Sequence, residues 1–185
     1  VGSLVMDTPN PVLLAFSQVA GQDVRVAVAT TGAHKTVAEL YSLTGTRLGV
    51  WELSGTHQGV SQLTSVPNNG AWSLVAIVTK GKTKELITAV DAKTIGSVSL
   101  PGADYRLAAG DLDGRGQGSI MVAPAVVSTT VKLYNVSAEW LLSLQVRAPG
   151  PKWDWAVGDY NDDGRADVVM YPTDSSAPSR VYDFA

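Results

Sequence analysis

The sequence predicts an all-β fold built from one supersecondary unit repeated four times. Three observations carry that prediction. Short runs rich in Val, Leu, Ile and Thr are separated by polar turns at intervals of about 8–12 residues, the spacing of all-β domains. Helix signals are few, while glycine occurs 18 times, mostly between those runs. Two stretches are copies of one another: Leu107-Ala-Ala-Gly-Asp-Leu-Asp-Gly-Arg-Gly-Gln-Gly-Ser-Ile-Met-Val122 and Trp155-Ala-Val-Gly-Asp-Tyr-Asn-Asp-Asp-Gly-Arg-Ala-Asp-Val-Val-Met170. Asp111 and Asp159, Gly116 and Gly164, and Tyr134 and Tyr182 all stand 48 residues apart.

The same period reaches the first half of the chain in weaker form. Ser119 maps to Ala71 and then to Asp23. Around them lie Asn68-Asn-Gly-Ala-Trp-Ser-Leu-Val-Ala-Ile-Val78 and Gly21-Gln-Asp-Val-Arg-Val-Ala-Val28, each a turn followed by an apolar strand. A strand is expected before each of these turns, over 12–16, 59–63, 105–109 and 153–157. Two more follow each turn-strand pair. They fall at 36–43 and 47–53, at 85–90 and 96–100, and at 130–136 and 140–146. The last unit ends early, with 180–185.

Four short antiparallel strands per repeat of this length describe a blade of a β-propeller. A lone blade cannot bury both faces, so blades must pack against one another. The expected organisation is one domain over 1–185, with repeats near 10–55, 56–101, 102–149 and 150–185. The last repeat lacks an outer strand, and Ser3-Leu-Val-Met6 offers a spare one. Donated to the last blade, it would close a ring of four and cover two edges. The alternative is that the chain is a fragment of a larger propeller.

The loop Asp159-Tyr160-Asn161-Asp162-Asp163-Gly164-Arg165-Ala166-Asp167 has the form of a calcium loop. Side-chain oxygens fall at its positions 1, 3, 5 and 9, and glycine at position 6. That alternation directs Asp159, Asn161 and Asp163 toward one centre, and Gly164 permits the sharp turn. Arg165 offers its backbone carbonyl, and Asp167 closes the cage from the next strand. An EF-hand would carry Glu at position 12 between two helices. Position 12 here is Met170, inside an apolar strand run, so the loop belongs to a β-hairpin. Magnesium fits less well because it demands stricter octahedral geometry. A plain solvated turn would also favour Asp, Asn and Gly, but three carboxylates crowded beside one arginine point to a cation.

The matching loop around Asp111, Asp113 and Ser119 is a degraded copy. Arg115 stands where the third oxygen ligand belongs, and Ser119 replaces the closing Asp. A guanidinium there can take the cation's place and pair with Asp111 and Asp113. The two N-terminal turns have lost the ligand set.

Composition narrows the function classes. A net charge of −3 with no basic run argues against a nucleic-acid partner and an electrostatic membrane anchor. No apolar stretch approaches the ~20 residues that a membrane span needs. The first ten residues lack the basic and apolar regions of a signal peptide. The absence of cysteine excludes disulfides, thiol catalysis and Cys-based zinc sites. Only His34 and His57 are available as imidazole bases, and both lie in Gly/Thr-rich turns without a Ser-Asp partner. Five tryptophans are present, and Trp153, Trp155 and Val157 share one strand face, as core packing between blades requires. A sugar-stacking surface is the functional alternative for them. Asn135-Val-Ser137 is a glycosylation triplet of low specificity.

Gly158-Asp-Tyr-Asn-Asp-Asp-Gly-Arg-Ala-Asp-Val-Val169, and more loosely Gly110-Asp-Leu-Asp-Gly-Arg-Gly116, resemble the FG-GAP/VCBS repeat of integrin-α-type propellers. The resemblance covers about the C-terminal half; the first two repeats follow by period alone. It implies a calcium-stiffened, extracellular or cell-surface propeller that serves adhesion or assembly; the residues themselves offer no catalytic set. Its partners would be a protein or glycan, or further copies of the chain. The alternatives are a carbohydrate-binding lectin and an accessory propeller of a secreted polysaccharide-degrading enzyme.

Overall fold

The computed structural model describes residues 11–17, 25–31, 36–53, 57–90, 93–102, 104–126, 128–148, 152–174 and 177–183. They form fifteen strands in four separate sheets, with no helix among them. The first sheet is β1 (Pro11–Ser17), β2 (Arg25–Thr31), β3 (Thr36–Ser42) and β4 (Arg47–Leu53). The second is β5 (His57–Asn68), β6 (Ala71–Lys80), β7 (Thr83–Val90) and β8 (Lys93–Leu100). The third is β9 (Tyr105–Gly110), β10 (Ser119–Pro124), β11 (Ser128–Tyr134) and β12 (Trp140–Ala148). The fourth has three described strands, β13 (Trp153–Gly158), β14 (Asp167–Pro172) and β15 (Arg180–Tyr182). Each sheet is an antiparallel meander in chain order. The expected closing strand Ser3-Leu-Val-Met6 lies outside the described residues.

The 48-residue period is reproduced pair for pair between the last two sheets. Val122 is flanked by Leu107 and Lys132, as Met170 is by Trp155 and Arg180. Ser119 faces Gly110, as Asp167 faces Gly158. The second sheet departs from this plan at its first hairpin. There Asn69 and Gly70, with φ of 49° and 76°, make a two-residue turn, and Asn68 faces Ala71 directly. Two left-handed central residues define the hairpin turn that Asn-Gly favours. The long acidic loop of the later repeats is thus replaced by the shortest connection, and β5 lengthens to 12 residues.

Alternation of side chains along each strand sends successive residues to opposite faces. In β6, Leu74, Ala76 and Val78 pack toward the first sheet, with Ala27, Ala38 and Trp51. Val75 and Ile77 pack toward the third, with Ile120 and Val122. In β10, Met121 and Ala123 turn the other way, onto Trp153, Val168 and Met170 of the fourth sheet. The second and third sheets are therefore covered on both faces. This explains why β6 and β10 read as nearly continuous apolar runs. Trp153, Trp155 and Val157 share the interface with the third sheet, as their spacing predicts. Trp51 and Trp72 are buried between the first two sheets, whereas Trp140 is exposed.

The first strands of successive sheets touch: β1 meets β5, β5 meets β9, and β9 meets β13. At the opposite edge, β4, β8 and β12 each carry a bulge at the same place in the repeat. Leu48, Ile95 and Leu141 are the unpaired residues there. Their side chains stay exposed. A bulge twists an edge strand away from further pairing, which protects the outer edges from unwanted strand addition.

Candidate metal centre

The acidic loop of the last repeat joins β13 to β14, so it is held by a hairpin, as the sequence pattern requires. Its side-chain oxygens organise the loop backbone. Asp159 accepts from the N–H groups of Asp163 (3.1 Å, Oδ1) and Gly164 (2.9 Å, Oδ2). Asn161 Oδ1 also accepts from Asp163 N–H, at 3.1 Å, and Asp163 Oδ1 accepts from Arg165 N–H at 2.9 Å. Asp162 takes a left-handed φ of 61° and Gly164 one of 84°. The second of these needs glycine's freedom if the chain is to turn back toward β14 without strain.

Asp167 differs from the other acids. It opens β14 and is 1% exposed, while Asp159, Asn161 and Asp163 face solvent. Its Oδ2 accepts from Tyr160 N–H at 3.0 Å, which turns the carboxyl group toward the start of the loop. Its Oδ1 is buried without a hydrogen-bond partner. Leaving a buried polar atom unmatched costs about 1–3 kcal/mol, more for a charged group. A cation held by this loop would remove that cost.

The donor set is all oxygen, the type that calcium selects. A carboxylate oxygen has two lone pairs, so those already accepting an N–H can still face a cation. Among the described residues, however, no three His, Cys, Asp or Glu side chains converge as a ready-made metal group. The loop is ordered by its own backbone hydrogen bonds, and Asp167 is buried at its end.

The loop between β9 and β10 repeats three of these hydrogen bonds. Asp111 accepts from the N–H groups of Arg115 (3.1 Å) and Gly116 (2.8 Å), and Asp113 accepts from Arg115 N–H at 3.1 Å. These are the bonds of Asp159 and Asn161, displaced by one repeat. The Arg115 guanidinium does not sit between the two acids. Its Nε lies 3.8 Å from Asp113 Oδ2 in an exposed pair. Ser119, at the start of β10, cannot supply the buried carboxylate of Asp167.

The loops of successive sheets are bonded to one another. Ala166 N–H donates to Asp111 C=O at 2.8 Å. Asn69 N–H donates to Gly116 C=O at 2.9 Å, and Gly118 N–H to Pro67 C=O at 2.7 Å. A β-carbon at Gly110 would lie 2.6 Å from Val157 and 2.7 Å from Ala166 side-chain atoms, so glycine there is required by the close approach of the sheets.

His57 begins β5, and His34 lies outside the described residues. A second feature bears no sequence motif: a cavity of about 260 Å³ at the far end of the third sheet, lined by Leu100, Tyr105, Val122 and Lys132 among others. Its only trace in the sequence is the substitution pattern between repeats, where Tyr105 and Lys132 replace Trp153 and Arg180.

Four consecutive antiparallel meanders packed face to face, with an acidic hairpin loop on the last, define a repeat-built all-β protein. No protein-family model matches the sequence, and no curated protein does. Among solved structures, the chain is similar to part of a rhamnogalacturonan lyase PL11 from Bacillus licheniformis. The TM-score is 0.57 at 13% identity, over 87% of this chain and 40% of that one. It is also similar to an uncharacterized protein from Listeria monocytogenes, with TM-score 0.46 at 10% identity, over 91% of this chain and 53% of that one. The chain thus spans about half or less of the length of these structures. No helix of the described residues is long and apolar enough to cross a membrane.

Proposed function

We propose that the chain is a calcium-stiffened β-propeller module of the FG-GAP/VCBS kind, acting outside the cell by binding or assembly and not by catalysis. The observation that carries this reading is Asp167. Its carboxyl group is buried at the closing position of a calcium-type loop, with one oxygen unmatched by any protein group. The three backbone hydrogen bonds that the Asp111 loop shares with that loop support a repeat in which one copy kept the ligands and the other lost some of them. In this reading Asp159, Asn161, Asp163, the Arg165 carbonyl and Asp167 hold the ion, and water completes the shell. The four meanders are blades, and the touching strands β1, β5, β9 and β13 line the axis. Ser3-Leu-Val-Met6 would complete the fourth blade in a four-bladed ring; in a larger propeller it would belong to a preceding blade. Solution scattering distinguishes a closed disc from an open arc.

The deciding experiment is thermal unfolding with calcium and with chelator. A calcium-dependent rise in Tm that Asp163→Ala removes supports the reading, and equal unfolding under both conditions overturns it.

A second reading is a carbohydrate-directed module: a lectin, or the accessory propeller of a polysaccharide-degrading enzyme. Its support is the fold shared with part of a rhamnogalacturonan lyase. A glycan array probed with the calcium-loaded protein tests it, and a blank array counts against it.

A further inference from the structure

The cavity in the third sheet occupies a place that the fourth sheet fills. In the fourth sheet, the Arg180 guanidinium lies over the Trp153 ring, 5.3 Å from its centroid, beside the buried Met170. One repeat earlier the same three positions hold Lys132, Tyr105 and Val122. All three are smaller. Lys132 is exposed and makes no ion pair among the described residues, instead of folding over the ring. The space that Trp, Met and Arg occupy between the third and fourth sheets is therefore left open between the second and third. The result is the cavity of about 260 Å³.

Its walls are mainly apolar, Leu100, Pro101, Tyr105, Val122 and Pro124, with Thr130 beside Lys132. The Tyr105 hydroxyl donates to the Pro101 carbonyl, so the ring is held in position as a wall. Lys132 is the only charged residue on the lining. An apolar pocket with one uncommitted cation selects a ligand of matching form, with a compact hydrocarbon body and one anionic group.

We propose that this cavity is a binding site for small apolar carboxylates, whose body packs against Leu100, Tyr105 and Val122 and whose anion meets Lys132. The site goes beyond the calcium-stiffened reading and does not depend on it. Tyr105 and Pro124 lie at the opposite ends of β9 and β10 from the Asp111 loop, about 17 Å away at ~3.3 Å per residue, and the loop at 159–167 belongs to the next sheet.

Phenylacetate is the probe, and its neutral isostere phenylacetamide is the control. Both are titrated into isotopically labelled protein, in calcium and in chelator, and followed by two-dimensional NMR. Expected are saturable shifts at Leu100, Tyr105, Val122 and Lys132 with phenylacetate, and binding at least threefold weaker with phenylacetamide. Lys132→Gln, an exposed substitution, should abolish that difference. The double variant Val122→Met/Lys132→Arg, which installs the fourth-sheet residues, should abolish binding of both. If that variant does not fold, Lys132→Gln decides alone. Absence of saturable shifts overturns the proposal. So does equal binding of acid and amide, or an acid preference unchanged in Lys132→Gln. Loss of phenylacetate binding leaves the calcium reading untouched, because the chelation experiment reads the loop at 159–167 on the fourth sheet.

Discussion

The backbone N–H of Ala166 donates to the carbonyl of Asp111 at 2.8 Å, so the intact acidic loop is bonded directly to its degraded copy. The Asp111 loop is in turn bonded to the Asn69–Gly70 hairpin of the second sheet through Gly116 and Gly118. Three sheets are thus tied together at one end by their turns. Anything that orders the loop at 159–167 also restrains its neighbours.

Calcium should therefore stabilise more than one hairpin. At a concentration about 100-fold above its dissociation constant, a ligand of the folded state adds about 2.7 kcal/mol. For a chain of this length that corresponds to a Tm rise of about 5–10 °C. Differential scanning calorimetry with calcium and with chelator measures it. Asp163→Ala and Asp167→Asn should each remove the difference, and Asp167→Asn should leave the chelated protein little changed or more stable.

The degraded loop keeps Asp111 and Asp113 and their backbone hydrogen bonds, and lacks the third and closing oxygen donors. The double variant Arg115→Asp/Ser119→Asp restores oxygen donors at the third and closing positions. Calorimetric titration should show calcium stoichiometry rising from one to two. An unchanged value would mean that the loop geometry is insufficient without the burial seen at Asp167.

Gly118 lies against the second sheet, where a β-carbon would collide with the Val66 side chain and come within 2.6 Å of the Pro67 carbonyl oxygen. Gly118→Ala must push the hairpins apart and weaken the Gly118–Pro67 hydrogen bond. A loss of about 1–3 kcal/mol or more is expected, read as a lowered urea midpoint. Gly49→Ala is the control, because nothing lies within 4 Å of its β-carbon position. Its midpoint should stay the same or rise slightly.

Burial raises the phenol pKa of Tyr105 and Tyr134 above its ordinary value, and the neighbouring Tyr105 adds to the rise at Tyr134. Tyr41 is raised as well, by its hydrogen bond to Glu39 and by burial. The folded chain therefore holds these protons at a pH where the unfolded chain has lost them. Their contribution is fully present below about pH 10, the unfolded value, and is lost as pH rises through the folded values. Urea midpoints should be flat with respect to these groups up to about pH 10 and fall above it. Tyr105→Phe should lessen the fall.

The expected strands agree closely with those observed, because each was marked twice: by alternating or continuous apolar runs and by the turn residues at its ends. The 48-residue spacing was legible for the same reason, since the Asp111 and Asp159 loops preserve a common backbone even where the ligands diverge. The first half of the chain was harder to align. Asn69-Gly70 closes its hairpin in two residues, so Asn68 and Ala71 are partners where the later repeats insert a whole loop. A period counted along the chain cannot register a loop that has been removed and a strand that has grown.

By itself, the sequence determined the all-β class, the strand set, the repeat and the oxygen-rich ligand order of the loop at 159–167. Those properties are local, written in side-chain alternation and turn chemistry within a few residues. Only the tertiary structure decided that Asp167 is buried with an unmatched oxygen, that Ala166 bonds to Asp111, and that Tyr105 and Lys132 border an open space. Each depends on how closely one sheet approaches the next. That approach brings together residues far apart in the chain, as where Gly110 meets Val157 and Ala166.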